Sequence, residues 1–574
     1  MMVSTLGIVM TLCTLFAGSS LAQIVSVSTS IGVINGKIEN ITFLGKSSTL
    51  HRFLGIPFAE PPVGDLRFKK PVPKAPLRAP LDAFAHNNAC MQGHQRQSVT
   101  YSEDCLYLNI YAPERKSPVE KLPVMIWIYG GAFARGDSSM YLGDRLSVHG
   151  NVILVTLNYR VSIFGFLSTG DSVSPGNYGL WDQQLAIKWV HDNIASFGGD
   201  IEKVTIFGQS AGAGSVVYQG LHTGNKGLFQ RIIAESGSVT PWWASTDKNL
   251  QYAKSIGSNA NCNMDTSMTL LSCLRNVQAD KLIGLIANSS KEDQLPQYPF
   301  LPTIDNDFIM FDPRRVFDLD NQLSRDAVNL FAEFDFLTGV NAGEGVGGLY
   351  EMFGVNDMMS FMPNRTDFKN RLVPMLVQVE YGEHVPSVLS KMITIEYTNW
   401  TDPDNPLNVR AEYLRMHGDA SFNAGMYKTL DTHSTITPTK KTYMYYFDIE
   451  PETRLWHGIP WYHKAIHGEE LVFVFGYDIS YKNQTLSPKK WEMDLSSDIM
   501  TLWANFAKTG NPNSPDDIGL HWLPYNTDSQ HYLHITRNLT SANVKQRWNI
   551  RRAEFWLNLV PAILQPSACS NLKP

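Results

Sequence analysis

Short and nearly continuous runs of apolar residues recur along the chain, separated by longer mixed stretches. The clearest are residues 122–129 (LPVMIWIY) and 152–157 (VILVTL), and weaker ones follow at 204–207 and 336–340. None of them alternates between apolar and polar positions, as a strand with one solvated face would. Such runs are typical of strands buried on both faces of a sheet.

Helical periodicity lies between two of these runs and again near the C-terminus. Residues 181–194 and 496–508 each place apolar side chains mainly on one side, and Gly510 and Pro512 end the second segment. Strands that alternate with helices predict an α/β fold with a mostly parallel sheet. Between about 245 and 440, short aromatic-rich segments fit helices or loops equally well.

Composition limits the class of protein. The chain has 574 residues, 43% of them hydrophobic and 18% charged, which predicts a globular chain with a large core. No linker, low-complexity stretch or repeat divides it, so we expect one large domain over residues 23–560 and a short tail over 561–574. The net charge is −6, so the chain has no excess of basic residues of the kind that binds nucleic acid. No His/Cys cluster has zinc spacing, and we expect neither metal nor cofactor.

The N-terminus resembles a secretory signal peptide. An apolar run over residues 6–16 precedes small residues at Ser20 and Ala22, which predicts a signal over residues 1–22. The run is shorter than the ~20 residues that a membrane helix needs. The alternative is a buried N-terminal helix. No other segment is long and apolar enough to span a bilayer, so a secreted, extracellular chain is expected.

Cysteines and glycosylation sequons agree with secretion. Cys13 lies within the signal, and the rest form two close pairs with one leftover: Cys90, Cys105, Cys262, Cys273 and Cys569. This spacing is typical of local disulfides plus a thiol that is free or links two chains, which leaves the oligomeric state open. Six N-x-[ST] sequons fit an extracellular surface: Asn40, Asn288, Asn364, Asn399, Asn483 and Asn538.

A nucleophile motif follows the third apolar run. Gly208-Gln209-Ser210-Ala211-Gly212 has the G-x-S-x-G pattern, in which serine occupies a strained turn between a strand and a helix. Small residues are needed on either side of such a turn, and the alternative is a plain Gly/Ser turn. Because a strand is predicted directly before the motif, Ser210 is the candidate nucleophile.

A second glycine turn, Tyr129-Gly130-Gly131-Ala132-Phe133, follows the first strand. Acyl transfer needs backbone N–H groups aimed at the oxygen on which negative charge develops. An ordinary glycine turn is the alternative when this segment is considered alone. Together with Ser210, the pattern predicts an oxyanion hole formed by the amides of Gly131, Ala132 and Ala211.

Several longer stretches of the chain form a distinctive set. They are GIPFAEPPVGDLRF (55–68), EDCLYLNI (103–110), IWIYGGAF (126–133), NYRV (158–161), GFLSTGD (165–171), GNYGLWDQ (176–183), FGGD (197–200) and WANFAKTGNPN (503–513). Together they resemble the type-B carboxylesterase/cholinesterase family, and in part the bile-salt-activated lipases within it. The resemblance runs from about residue 30 to 560. It implies one α/β-hydrolase domain, with a large, mostly parallel central sheet flanked by helices. It also implies disulfides Cys90–Cys105 and Cys262–Cys273.

The resemblance selects the other two catalytic residues. The fold orders its triad as serine, acid and histidine, but 15 histidines prevent a choice from composition. His467 matches the family's His-Gly before a Phe-Val-Phe-Gly run, whereas the residues alone leave His457 and His463 as rivals. Glu344 matches the acid of the family's strand-end loop, with Glu333 and Asp335 as alternatives.

Two further residues resemble family positions near the substrate, and two segments differ from the family in ways that bear on the substrate. Ser236 resembles a serine that lies behind the family's triad, and Trp243 resembles its acyl-pocket tryptophan; a turn serine and a core tryptophan are the alternatives. Residues 91–104, where cholinesterases carry a choline-binding tryptophan, contain none, and residues 134–150 are short where lipases carry a bile-salt-responsive loop. We therefore expect a secreted serine carboxylic ester hydrolase that acts on small-molecule or lipid esters. The alternatives are a narrow juvenile-hormone-type esterase, which Gln209 favours, and a non-catalytic adhesion protein on the same fold.

Overall fold

A computed structural model describes residues 23–291, 298–347, 349, 360–382, 384–436, 439–455, 459–480 and 486–564. The predicted signal peptide, His457, Asn483 and Cys569 lie outside the described residues. Within them, no helix is both long and apolar enough to cross a membrane.

Fifteen strands are described. They are β1 (Ile24–Thr29), β2 (Gly32–Phe43), β3 (Lys46–Pro57), β4 (Leu81–Asp82), β5 (Ala89–Cys90), β6 (Tyr101–Ser102), β7 (Tyr107–Pro113), β8 (Leu122–Ile128), β9 (Ile153–Leu157), β10 (Gly199–Gln209), β11 (Arg231–Glu235), β12 (Asp335–Asn341), β13 (Thr442–Phe447), β14 (His531–Ile535) and β15 (Val544–Gln546).

One sheet contains all of these strands except β5 and β6. Its order is β1-β2-β3-β7-β9-β8-β10-β11-β12-β13-β14-β15, and β4 pairs with β2. The seven strands from β9 to β14 in this order run parallel to one another. The pairs nearer the two edges are antiparallel, namely β1–β2, β2–β3, β3–β7, β7–β9 and β14–β15. The predicted α/β architecture with a mostly parallel sheet is confirmed.

The continuous apolar runs mark the centre of this sheet. Every residue of β8 and β9 is buried, because helices cover both faces of a parallel sheet and leave no side of these strands in water. The run at 204–207 is the end of β10, and the run at 336–340 lies within β12. All four predicted strands are therefore present.

Both predicted helices are present and longer than expected, at Tyr178–Asn193 and Lys490–Thr509. The region from 245 to 440, where the sequence favoured neither helix nor loop, is mainly helical. Its longer helices are Asn249–Asn259, Ser267–Asn276, Ala279–Lys291, Gln322–Phe331, Val373–Tyr381, Ser387–Glu396, Pro406–Gly418 and Ala424–Ile436.

Both implied disulfides are formed in the structure, Cys90–Cys105 and Cys262–Cys273. Each closes a short loop, and such a cross-link stabilises the folded chain by about 3 kcal/mol, mainly by restricting the unfolded one.

Peptide mapping under non-reducing conditions is expected to recover these two pairs and to leave Cys569 outside both. A peptide that joins a cysteine of the first pair to one of the second would refute this connectivity.

Candidate active site

The candidate nucleophile lies at the carboxyl end of β10. Ser210 has φ 59° and ψ −124°, and the helix Ala211–Leu221 begins at the next residue. Its amide donates to the carbonyl of Glu235 at the end of β11, at 2.8 Å. A Cβ atom on Gly208 would lie 2.6 Å from the backbone of Gly212, so only glycine fits there. The strained strand-to-helix turn that the motif predicts is therefore present.

The second glycine turn, at the end of β8, lies against the serine. A Cβ atom on Gly130 would be 3.0 Å from Cβ of Ser210, which shows how closely the two backbones approach. Within the described part of the chain, the amides of Gly131 and Ala132 donate to no other protein group. Ala211 is the first residue of its helix, where an amide has no intrahelical acceptor. The three predicted oxyanion donors are thus available to a ligand.

The candidate acid and base are hydrogen-bonded to each other. Nδ1 of His467 lies 2.5 Å from Oε2 of Glu344, whose side chain is only 1% exposed. The other carboxylate oxygen, Oε1, accepts from the amide of Asn341 at 2.7 Å and from the hydroxyl of Ser236 at 2.5 Å. Three donors therefore hold this carboxylate in one orientation, and the hydroxyl of Ser236 is one of them.

The opposite side of the imidazole faces the nucleophile turn. Nε2 of His467 is 3.2 Å from the side-chain nitrogen of Gln209, the residue before Ser210. A carboxylate oxygen accepts, so Nδ1 on the other side of the ring donates toward Glu344. Nε2 is therefore the ring nitrogen on the side of the serine turn, where a general base takes the hydroxyl proton.

Hydrogen bonds between loops fix the acid relative to the base. The amide of Gly343 donates to the carbonyl of Ala465 at 2.8 Å, and the hydroxyl of Tyr462 donates to the carbonyl of Ala342 at 3.0 Å. The acid loop follows β12, whereas the histidine loop follows β13. Both therefore meet at the carboxyl edge of the sheet, where β8, β10 and β11 also end.

The rival residues that the structure describes lie elsewhere. His463 is 70% exposed and pairs with Glu450. Glu333 forms an exposed ion pair with Lys226, and Asp335 lies beside Arg231 at the start of β12. Each of these three side chains is thus paired with a partner outside the Glu344–His467 pair. Among the described residues, no group of three or more His, Cys, Asp and Glu side chains is arranged to hold a metal ion.

Sequence reasoning missed two buried acids behind the triad. Burial, followed by the charge of Glu344, raises the pKa of Glu470 to about 7, and Asn341 donates to its carboxyl group. Burial, followed by the charge of Glu470, raises the pKa of Glu235 well above its ordinary value. The indole of Trp503 donates to Glu235 at 2.7 Å. Both acids are therefore protonated more readily than usual, which limits the negative charge beside His467.

The loop between the first two cysteines contains a nearly buried ion pair and one tyrosine. Arg96 forms an ion pair with Asp137 at 2.6 Å, and both side chains are nearly buried. Tyr101 is the aromatic residue of this loop, and its hydroxyl accepts the amide of Arg96 at 2.8 Å. Gln92 donates to the carbonyl of Gly136. The loop therefore lies against the segment that directly follows the oxyanion turn.

Known proteins resemble this chain over most of its length. The model of the carboxylesterase family matches residues 23–556. Acetylcholinesterase 1 of Caenorhabditis elegans is 34% identical over 92% of this chain and 87% of its own length. Bile salt-activated lipase of Rattus norvegicus is 33% identical over 94% and 86%. Neuroligin-2 of Mus musculus is 32% identical over 89% and 64%. The chain belongs to the carboxylesterase family and is a carboxylic ester hydrolase.

Proposed function

We propose that the protein is a secreted serine esterase of uncharged carboxylic esters, with Ser210 as nucleophile, His467 as base and Glu344 as the orienting acid. The observation that carries the proposal is the arrangement around His467. One ring nitrogen faces a buried carboxylate, and the other faces the strained turn of Ser210. An adhesion protein on the same fold would have no use for this arrangement.

The geometry supports a two-step reaction. Oγ of Ser210 attacks the ester carbonyl carbon while Nε2 of His467 takes the hydroxyl proton, and Glu344 stabilises the imidazolium. The amides of Gly131, Ala132 and Ala211 bind the oxyanion. Collapse breaks the C–O bond, and the alcohol leaves with the proton from His467. Water then attacks the acyl-enzyme by the same route, which releases the acid and restores the serine.

Secretion is supported by the N-terminal signal pattern, the two disulfides and the sequons. Of the sequons among the described residues, four present exposed asparagines: Asn40, Asn288, Asn364 and Asn538. Disulfides persist in oxidising compartments. Expression in a secretory host, followed by N-terminal sequencing and glycosidase treatment of the medium, tests this part of the proposal.

Choline esters are expected to be poorer substrates than uncharged esters of the same acyl length. A quaternary ammonium gains roughly 1–2 kcal/mol over a desolvated aromatic face. Residues 91–104 contain no tryptophan, and the hydroxyl of Tyr101 is already bonded within the loop. The test compares kcat/KM for butyrylcholine with that for the matched ester that carries a neutral tert-butyl head group. A clear preference for the cation would contradict this part of the proposal.

A further inference from the structure

The direction of one candidate oxyanion donor is set by residues that follow it in the chain. The amides of Ala134 and Arg135 donate to the carbonyl oxygen of Gly131 at 3.0 and 3.1 Å. This carbonyl shares a peptide unit with the N–H of Ala132. Because a trans peptide is planar, the N–H points away from the carbonyl that these two amides hold. Any shift of the residues after Ala132 would therefore turn its N–H as well.

The turn that contains this donor has an unfavourable backbone conformation. Ala132 and the next residue, Phe133, have φ values of 55° and 56°, in the left-handed region. Side-chain-bearing residues rarely adopt this conformation, and it persists only where the surrounding structure imposes it. Two such residues in succession therefore need support from outside the turn.

The side chain of Gln92 supplies contacts of this kind three residues after Phe133. Its Nε2 donates to the carbonyl of Gly136 at 2.8 Å, and its Oε1 accepts the amide of Gly136 at 2.9 Å. The same nitrogen donates to the carbonyl of Cys90 at 2.9 Å. Gln92 is only 2% exposed. One buried amide thus holds both backbone polar groups of Gly136.

Gly136 transmits this hold to the beginning of the turn. It has a φ of 125°. A Cβ atom on it would lie 2.4 Å from the ring of Tyr129 and 2.8 Å from the carbonyl oxygen of Gly130. Its backbone is therefore packed directly between Gln92 and the residues that open the oxyanion turn, with no space for adjustment.

Gln92 is itself firmly anchored. The disulfide Cys90–Cys105 lies two residues before it. Arg96, further along the same loop, forms a nearly buried ion pair with Asp137, the residue after Gly136. Arg96 also donates to the carbonyl of Ser480 at 2.7 Å. The loop is thus attached to the segment after the turn and to the chain beyond the histidine loop.

We propose that Gln92 is a positioning residue that holds the oxyanion turn through the backbone of Gly136. This inference rests on the proposed serine esterase function and adds to its site a residue from the loop between the first two cysteines. The three hydrogen bonds of the Gln92 amide all go to backbone groups. Gln92 therefore acts on the transition state through the turn, by keeping the N–H groups of Gly131 and Ala132 aimed at the oxyanion.

The test replaces Gln92 with methionine, which has a similar length but no amide. For p-nitrophenyl butyrate, kcat is expected to fall about 10–100-fold, less than the 10²–10³-fold that follows loss of a whole oxyanion donor. KM is expected to change little, because the turn acts mainly in the transition state. Rates are expressed per active site, counted by titration with a fluorophosphonate.

A second readout isolates the oxyanion. An alkyl trifluoromethyl ketone adds to the serine hydroxyl and places an oxyanion where the ester would form one, whereas the corresponding alcohol does not. In Gln92→Met, the inhibition constant of the ketone is expected to rise by the same factor by which kcat/KM falls. That of the alcohol is expected to stay unchanged. A role in stability alone would lower the number of active sites and alter neither constant.

Two further variants complete the set. Gln92→Asn keeps the amide but is one methylene shorter, so it is expected to fold and to shift kcat and the ketone constant in the same direction. The matched control is Gln219→Met, which alters a buried glutamine that donates to the carbonyl of Leu180 at 2.9 Å. It is expected to lower stability and to leave both constants per active site unchanged.

Two results would overturn the inference while leaving the esterase function intact. One is an unchanged kcat per active site in both Gln92→Met and Gln92→Asn. The other is a fall in kcat/KM with no change in the inhibition constant of the ketone, which would assign the effect to substrate binding. A wild-type enzyme that hydrolyses no ester would instead refute the proposed function, before any variant is compared.

Discussion

Replacement of Ser210 by alanine is expected to lower kcat for ester hydrolysis on the order of 10⁵–10⁶-fold. The alanine side chain has no oxygen to attack the carbonyl carbon, and only oxyanion binding and substrate positioning remain. The backbone at this position, φ 59°, is already adopted by a residue with a Cβ atom. The fold is therefore expected to survive, as thermal unfolding and circular dichroism would show.

A suitable control is Ser215→Ala, further along the same helix. The hydroxyl of Ser215 accepts the side-chain amide of Gln183 at 3.0 Å, in the buried interior rather than at the triad. This variant is expected to lose some stability and to retain activity. A Ser210→Ala enzyme with a near-normal rate would remove Ser210 from the mechanism.

Replacement of His467 by alanine is expected to match the loss in Ser210→Ala, because an unactivated hydroxyl is a weak nucleophile at neutral pH. Glu344→Gln should lower kcat less, by about 10⁴-fold. The amide no longer orients the imidazole of His467 or balances its charge, but the base itself remains. The measurement is kcat for a p-nitrophenyl ester, checked against the folded fraction of each variant.

His463→Ala is the matched control for the histidine. Its imidazole is exposed and pairs with Glu450 at the surface, so its loss is expected to change kcat little. His457 lies outside the described residues, and its alanine variant completes the set. The assignment of the base would be wrong if His467→Ala lowered kcat only slightly while His457→Ala or His463→Ala produced the large loss of kcat expected for His467→Ala.

Features encoded within a few consecutive residues could be predicted from the sequence. Strands β8 and β9 follow from unbroken apolar runs, because burial on both faces requires them. Ser210 and the turn at Gly131 follow from small residues that directly succeed strands. His467 and Glu344 needed the family resemblance, because neither segment distinguishes itself among 15 histidines and many carboxylates.

Features that depend on distant segments could not be predicted. Phe422 meets His467 across 45 positions of the chain, and the helices around it have no clear periodicity. Glu235 and Glu470 acquire their raised pKa values from burial and from neighbouring carboxyl groups, which no local pattern records. Within residues 245–440, the helices Pro406–Gly418 and Ala424–Ile436 have no distinct apolar face, so the sequence favoured neither helix nor loop there.

Covalent labelling tests the role of Ser210 most directly. The purified protein is treated with a fluorophosphonate probe, digested, and analysed by mass spectrometry to locate the modified residue. One modification per chain is expected, on Ser210, that appears in parallel with loss of ester hydrolysis and is absent from Ser210→Ala. Labelling of another serine at the same rate as inactivation, or full inactivation without labelling of Ser210, would contradict the assignment of the nucleophile.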